Sequence, residues 1–123
     1  MSDERPLPNP PPVAAMVEDV LGCKWSLRLL ERCAERAQRP SELLRACPGL
    51  SVKVMNERLR KLQRFGLLAR EVQGRKPPLV VHYRLTPFGR RFKAVLAEIR
   101  ALQLVLDARA QSHGPDPERN STG

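Results

Sequence analysis

Apolar positions recur with a helical period through most of this chain, give way to alternation over one short region, and resume a long helical period afterwards. The clearest stretch is residues 50–66, LSVKVMNERLRKLQRFG. Val52, Met55, Leu59 and Leu62 follow one another at steps of three, four and three, which predicts a helix with one buried face. Ser51 stands where an N-cap is needed and Gly66 where the chain leaves in a left-handed conformation. Lys53, Asn56, Glu57, Arg60, Lys61 and Arg64 fall away from the apolar row, so the outward surface is mostly cationic. Just upstream, residues 40–47 (PSELLRAC) predict a shorter helix, with Pro40 in the first position, Glu42 in the first turn and Leu43, Leu44 and Ala46 as its apolar residues. Pro48 and Gly49 break the chain between the two. A short helix, a tight turn and an amphipathic helix make a helix-turn-helix, whose second helix enters the DNA major groove.

The same pattern organises the flanks. Pro12 opens a first helix that carries Val13, Met16, Val17, Val20 and Leu21 on one side and stops at Gly22. A second helix over residues 24–37 turns Trp25, Leu27, Leu29, Leu30, Cys33 and Ala34 inward and presents a mixed-charge face outward. Beyond the helix-turn-helix, Leu68 and Val72 alternate with Arg70, residues 74–78 form a turn, and Val81, Tyr83 and Leu85 alternate again. This predicts a hairpin with Arg75 and Lys76 at its tip, placed as a wing along phosphates or in the neighbouring minor groove. Thr86 and Pro87 then launch the longest helix. Phe88, Phe92, Val95, Ile99, Leu102 and Leu106 follow at steps of four, three, four, three and four, a heptad seam that signals dimerisation. Its first half is expected to pack on the chain's own first two helices.

The expected fold is therefore mainly α with a small β-hairpin wing, a winged helix-turn-helix dimerising through its N- and C-terminal helices. Val13, Met16, Val17 and Val20 from the first helix, and Val95, Ile99, Leu102 and Leu106 from the last, are the expected dimerisation residues. Residues 1–11, rich in proline, read as a disordered arm. Residues 12–109 read as the DNA-binding and dimerisation domain, and 110–123 as a disordered tail.

Charge sharpens this picture. The formal net charge is +9, and residues 36–93 hold 15 Lys and Arg against three acids, Glu42, Glu57 and Glu71. Cations gathered in the middle of the chain suit a polyanion, because phosphate neutralisation needs them together. No apolar run approaches the ~18 residues a membrane span needs, and no signal peptide is evident, so a reducing cytoplasm, at the nucleoid, is expected. The three cysteines, Cys23, Cys33 and Cys47, have no CxxC spacing, and no metal or cofactor is expected. An enzyme is not expected either. The only histidines are His82 and His113, and there is no HExxH, glycine-rich phosphate loop or convergent set of acids. Two alternatives to a sequence-specific regulator remain at this level: a sequence-tolerant or architectural DNA-binding protein, and a winged-helix protein-interaction module.

Four segments carry a resemblance: LGCKW at 21–25, RPSELLRACPGLS at 39–51, VMNERLRKLQRFGLLAR at 54–70 and HYRLTPFG at 82–89. In this order they resemble the HxlR-type branch of bacterial winged helix-turn-helix regulators, relatives of the MarR-type repressors. The resemblance implies a homodimer that binds double-stranded DNA at an operator, usually represses, and often responds to a small molecule or to oxidation. Members that sense thiol-reactive compounds use a cysteine just before the first helix; here that neighbourhood is Asn9, Pro10, Pro11 and Pro12. Cys23 replaces a common second glycine before the Lys-Trp pair, His82 stands where glutamate is usual, and residues 77–86 are one residue longer than is typical.

Residue chemistry assigns Lys53, Asn56 and Arg60 to base edges, since Asn pairs with adenine and Lys or Arg with guanine. Ser51, Arg39, Arg58, Lys61 and Arg64 are assigned to phosphates together with Arg75 and Lys76 of the wing, Arg58 and Arg64 being open also to a role in surface or intramolecular ion pairs. Cys23 and Cys33 are the candidate thiol sensors, and a cavity between the first two helices and the long last helix is the expected place for a small apolar effector.

Overall fold

The computed structural model describes residues 10–113. Most of the expected N-terminal arm, residues 1–9, and residues 114–123 of the expected tail lie outside the described residues. The elements run α1 (Val13–Leu21), α2 (Lys24–Glu35), α3 (Pro40–Ala46), α4 (Val52–Arg64), β1 (Leu68–Gln73), β2 (Val80–Leu85) and α5 (Pro87–His113). This is a winged helix-turn-helix, mainly α with one antiparallel hairpin. It divides into two units, residues 1–93 and residues 94–123.

In the first unit, α4 forms as its local signals require. The Ser51 hydroxyl oxygen accepts from the Val54 amide at 3.1 Å, satisfying one orphan donor of the first turn. At the other end Gly66, with φ 78°, lets the chain reverse. The Gly66 amide then donates to the Gln63 carbonyl at 2.9 Å and the Leu67 amide to the Leu62 carbonyl at 3.0 Å, a Schellman closure. Met55, Leu59 and Leu62 are buried, each burial contributing roughly 1.5–3 kcal/mol. Val52 departs from expectation: in the first turn of the helix, it is 56% exposed.

The second helix is shorter than its periodicity predicts, and the reason is non-local. After Glu35 the backbone turns extended, and Gln38 forms a β-bridge with Tyr83. Gln38 and Tyr83 exchange amide-to-carbonyl bonds of 2.9 and 2.8 Å, and the buried Gln38 amide side chain donates to the Arg32 carbonyl at 2.9 Å near the end of α2. Gln38 thus ends a helix with its side chain while its backbone pairs with β2 as a one-residue third strand. The hairpin pairs Leu68 with Leu85 through to Gln73 with Val80. Arg84 Nε donates to Glu71 across it at 2.9 Å.

Thr86 joins the end of α4 to the start of α5. Its buried hydroxyl donates to the Gly66 carbonyl at 2.6 Å and accepts from the Gly89 amide at 2.9 Å, and its own amide donates to the Leu67 carbonyl at 3.0 Å. Gly89 is needed here because a Cβ would collide with the Leu67 carbonyl oxygen.

The expected dimerisation set is only partly available. Met16 is 2% and Val20 0% exposed; the apolar stripe of α1 packs on α2 in the chain's own core, so these two residues have no surface to offer a partner. Val17 is half-buried and Val13 exposed. Trp25, expected in the core, is half-buried, with Lys24 Nζ 4.7 Å from its ring centroid.

In the second unit, residues 94–113 are continuous helix, so α5 runs past the domain end expected at residue 109. Val95, Ile99, Leu102 and Leu106 are all exposed, as are Leu104 and Val105.

Candidate nucleic-acid interface

The outer row of α4 is built by subtraction. With Met55, Leu59 and Leu62 held inward, helical spacing leaves Lys53, Asn56, Arg60 and Arg64 together on the opposite side, and all four are exposed. Glu57 is the one acid among them. Ser51 is exposed at the head of this row; its oxygen is occupied by the Val54 amide, while its O–H remains a donor.

Arg58 and Lys61 do not belong to that row. Both are half-buried and lie on a flank of α4 with Val54 and Phe65, turned toward α1 and the α1–α2 corner. Lys61 Nζ is 2.6 Å from the Asp19 carboxylate of α1. Arg58 Nε is buried without a hydrogen-bond partner, and the guanidinium charge acts on Cys23. The helical pattern placed both cations off the apolar row, which is correct, but a residue on the flank meets its own protein before it meets a ligand.

Arg39 is exposed at the N-cap of α3. Its amide donates to Glu42 at 2.8 Å, Arg36 donates to the same carboxylate at 3.1 Å, and the Arg39 guanidinium lies 3.9 Å away. The Arg39 amide first, then the Arg36 hydrogen bond and both positive charges, hold the Glu42 carboxyl below its ordinary value. This corner of the basic tract is therefore partly neutralised. Arg75 and Lys76 are exposed in the turn between β1 and β2, as expected for a wing tip.

The two candidate thiols differ in kind. Cys23 occupies the N-cap position of α2, half-buried, where first-turn amides point toward its side chain. Burial pushes its thiol up, but the Ser26 amide and hydroxyl, the Trp25 amide and the Arg58 charge outweigh burial and hold it below its usual value. None of these closes a cap of ordinary hydrogen-bond length, and Ser26 Oγ is buried without a partner. Cys33 is buried in α2, and desolvation, with Cys47 nearby, pushes it up to about 12. A buried thiol so raised is a core residue, and the expectation of a sensor at Cys33 is corrected on that ground.

An apolar cavity of about 410 Å³ is lined by Pro10, Pro11, Val13, Met16, Phe65, Gly66, Thr86, Pro87 and Phe88. It shares α1 and the start of α5 with the place the sequence suggested, through Val13, Met16, Pro87 and Phe88, but not α2. It opens beside the joint between α4 and α5, with the N-terminal prolines as one wall. Among the described residues no three His, Cys, Asp or Glu side chains gather to hold a metal ion, and no helix is long and apolar enough to cross a membrane.

Comparison with known proteins gives this arrangement its place. The family model described as HxlR-like helix-turn-helix matches residues 20–107. An uncharacterized HTH-type transcriptional regulator of Synechocystis sp., sll1512, is 38% identical over 86 residues, covering 70% of this chain and 63% of that protein. The chain thus spans a little under two thirds of the length of this relative. Among solved structures, a MarR-family transcriptional regulator from Enterococcus faecalis V583 superposes with a TM-score of 0.72 at 26% identity, covering 80% of this chain and 89% of that one. The diamide-treated form of YodB from B. subtilis does so with a TM-score of 0.66 at 27% identity, covering 74% and 89%. The match falls on the elements described above, from the end of α1 through the helix-turn-helix and wing into α5, and the chain belongs to the HxlR-like helix-turn-helix family of transcriptional regulators.

Proposed function

We propose that the chain is a sequence-specific repressor that binds a pseudo-palindromic operator in the cytoplasm as a homodimer, with α4 of each protomer in successive major grooves about 34 Å apart. One observation carries this reading: α4 is capped at both ends and locked inward by Met55, Leu59 and Leu62, while its outer row offers Lys53, Asn56, Arg60 and Arg64 to the surroundings. A rigid helix with an amide and three cations on one face has the donors and acceptors that base edges require. Lys53, Asn56 and Arg60 read bases. Ser51, Arg39 and Arg64 hold phosphates, and Arg75 and Lys76 do so from the wing.

Self-association rests on the exposed row Val95, Ile99, Leu102 and Leu106, with Val13 of α1 as a further exposed apolar residue. A single protomer that left this seam in water would carry an unusual amount of exposed apolar surface. Residues 12–109 act as the DNA-binding and dimerisation domain. The cavity beside Thr86 has the size of a small-ligand site, and none of its lining residues is charged, which suits a neutral, apolar effector.

The test is titration of the purified protein against the duplex immediately upstream of its own coding region and against a scrambled duplex, across salt. A preference of ~10³ or more with two protomers per site supports the proposal. Equal affinities that collapse together as salt rises would replace it with a sequence-tolerant binder. Leu102→Glu should leave a monomer in sedimentation; an unchanged dimer would remove the seam from the interface.

A further inference from the structure

Asp19 stands in the last turn of α1, where the negative end of the helix dipole disfavours a carboxylate, and α1 has no base of its own in that turn. The compensating cation comes from α4. Lys61 Nζ approaches Asp19 Oδ2 at 2.6 Å, with the two side chains 35% and 26% exposed. At that distance the contact is a charge-assisted hydrogen bond, and partial burial screens it less than a surface pair.

Its position on α4 gives it a mechanical meaning. Met55, Leu59 and Leu62 bury an apolar row, and apolar contact is not directional. The Lys61 ammonium lies off that row, on the flank, where a directional bond opposes roll. A roll of the helix would swing Lys53, Asn56 and Arg60 together away from the bases they face.

We infer that Asp19 is a positioning residue for DNA recognition: its bond to Lys61 fixes the roll of α4 against α1 and thereby sets which side chains meet the base edges. The inference rests on α4 being the reading helix, and it withdraws Lys61 from the phosphate contacts.

The experiment compares the wild type with Asp19→Asn, Asp19→Glu, Lys61→Gln and the reciprocal pair Asp19→Lys with Lys61→Asp. Each is titrated across salt with a duplex that the wild type selects from a random library and with a scrambled duplex of the same composition. Asp19→Asn and Lys61→Gln should each weaken the selected duplex by roughly tenfold, with scrambled affinity no lower for Asp19→Asn and the salt slope unchanged for Lys61→Gln. Asp19→Glu should retain most of the affinity, and the reciprocal pair, which keeps the net charge, should recover it to within about threefold of the wild type. A salt slope lowered by about one in Lys61→Gln, with both duplexes weakened alike, would make Lys61 a phosphate contact and overturn the inference. So would a reciprocal pair weaker than either single substitution. A wild type that prefers no duplex would defeat the DNA reading on its own terms. Amide hydrogen exchange in α4 then decides the pairing: it should quicken in Asp19→Asn and recover in the reciprocal pair, and unchanged exchange would overturn it.

Discussion

Replacing Thr86 by valine keeps the shape of the side chain and removes one hydroxyl, which has three hydrogen-bond contacts, the weakest being to the Leu67 carbonyl at 3.2 Å, an oxygen that the Thr86 amide also serves. The hydroxyl donates to the Gly66 carbonyl at 2.6 Å and accepts from the Gly89 amide at 2.9 Å, both at a site that is 5% exposed. The substitution leaves a buried acceptor and a buried first-turn donor without these partners. Each such loss costs about 1–3 kcal/mol, partly overlapping with the ~0.5–2 kcal/mol of a lost N-cap, so a destabilisation of about 2–4 kcal/mol is expected. For a domain of this size that is a fall in Tm of roughly 10–20 °C. Urea unfolding of the wild type, Thr86→Val and Thr86→Ser measures it, and the serine variant, which keeps the hydroxyl, should lose far less. A Thr86→Val protein within about 0.5 kcal/mol of wild type would refute the joint, as would a serine variant equally impaired.

Three further outcomes follow from the site. Arg75→Ala and Lys76→Ala should weaken specific and scrambled duplexes alike and lower the salt slope by about one each; loss confined to the specific duplex would make the wing a base reader. Glu42 has a folded pKa below its unfolded one, so its contribution to stability is complete above the unfolded value and lost as pH falls through the folded one. Glu42→Gln should therefore be less stable than wild type at neutral pH and converge on it in acid, as urea titrations across pH would record; a constant gap would refute the assignment. Native alkylation with iodoacetamide, mapped by mass spectrometry, should modify Cys23 first and Cys33 only on unfolding, because Cys33 is buried and pushed up to about 12. Early labelling of Cys33 would contradict its place in the core.

The elements legible in the sequence were those specified by neighbours a few residues away. Ser51, Gly66 and Thr86 mark helix ends through bonds to residues three or four positions off, Pro87 marks one by lacking an amide in the first turn, and the hairpin was legible from strand-like alternation although Val72 lies exposed. What stayed hidden depends on distant partners. Gln38 ends α2 only because Tyr83 arrives to pair with it. Met16 and Val20 show the helical period that a dimer helix would show, and periodicity cannot say whether the covering surface belongs to the same chain. Lys61 was legible as a cation off the apolar row, but the carboxylate that takes it comes from α1. The one available clue was Asp19 itself, an acid at the wrong end of a helix and so in need of a partner.

Whether the outer row of α4 reads base edges is decided by selecting duplexes from a random library with the wild type and with Asn56→Ala in parallel. The variant should lose preference at one position, repeated symmetrically in the two half-sites, at a cost of about 1–3 kcal/mol on the wild-type sequence and none on scrambled DNA. An Asn56→Ala profile identical to the wild type, or an equal loss of affinity on every duplex, would contradict base reading by α4.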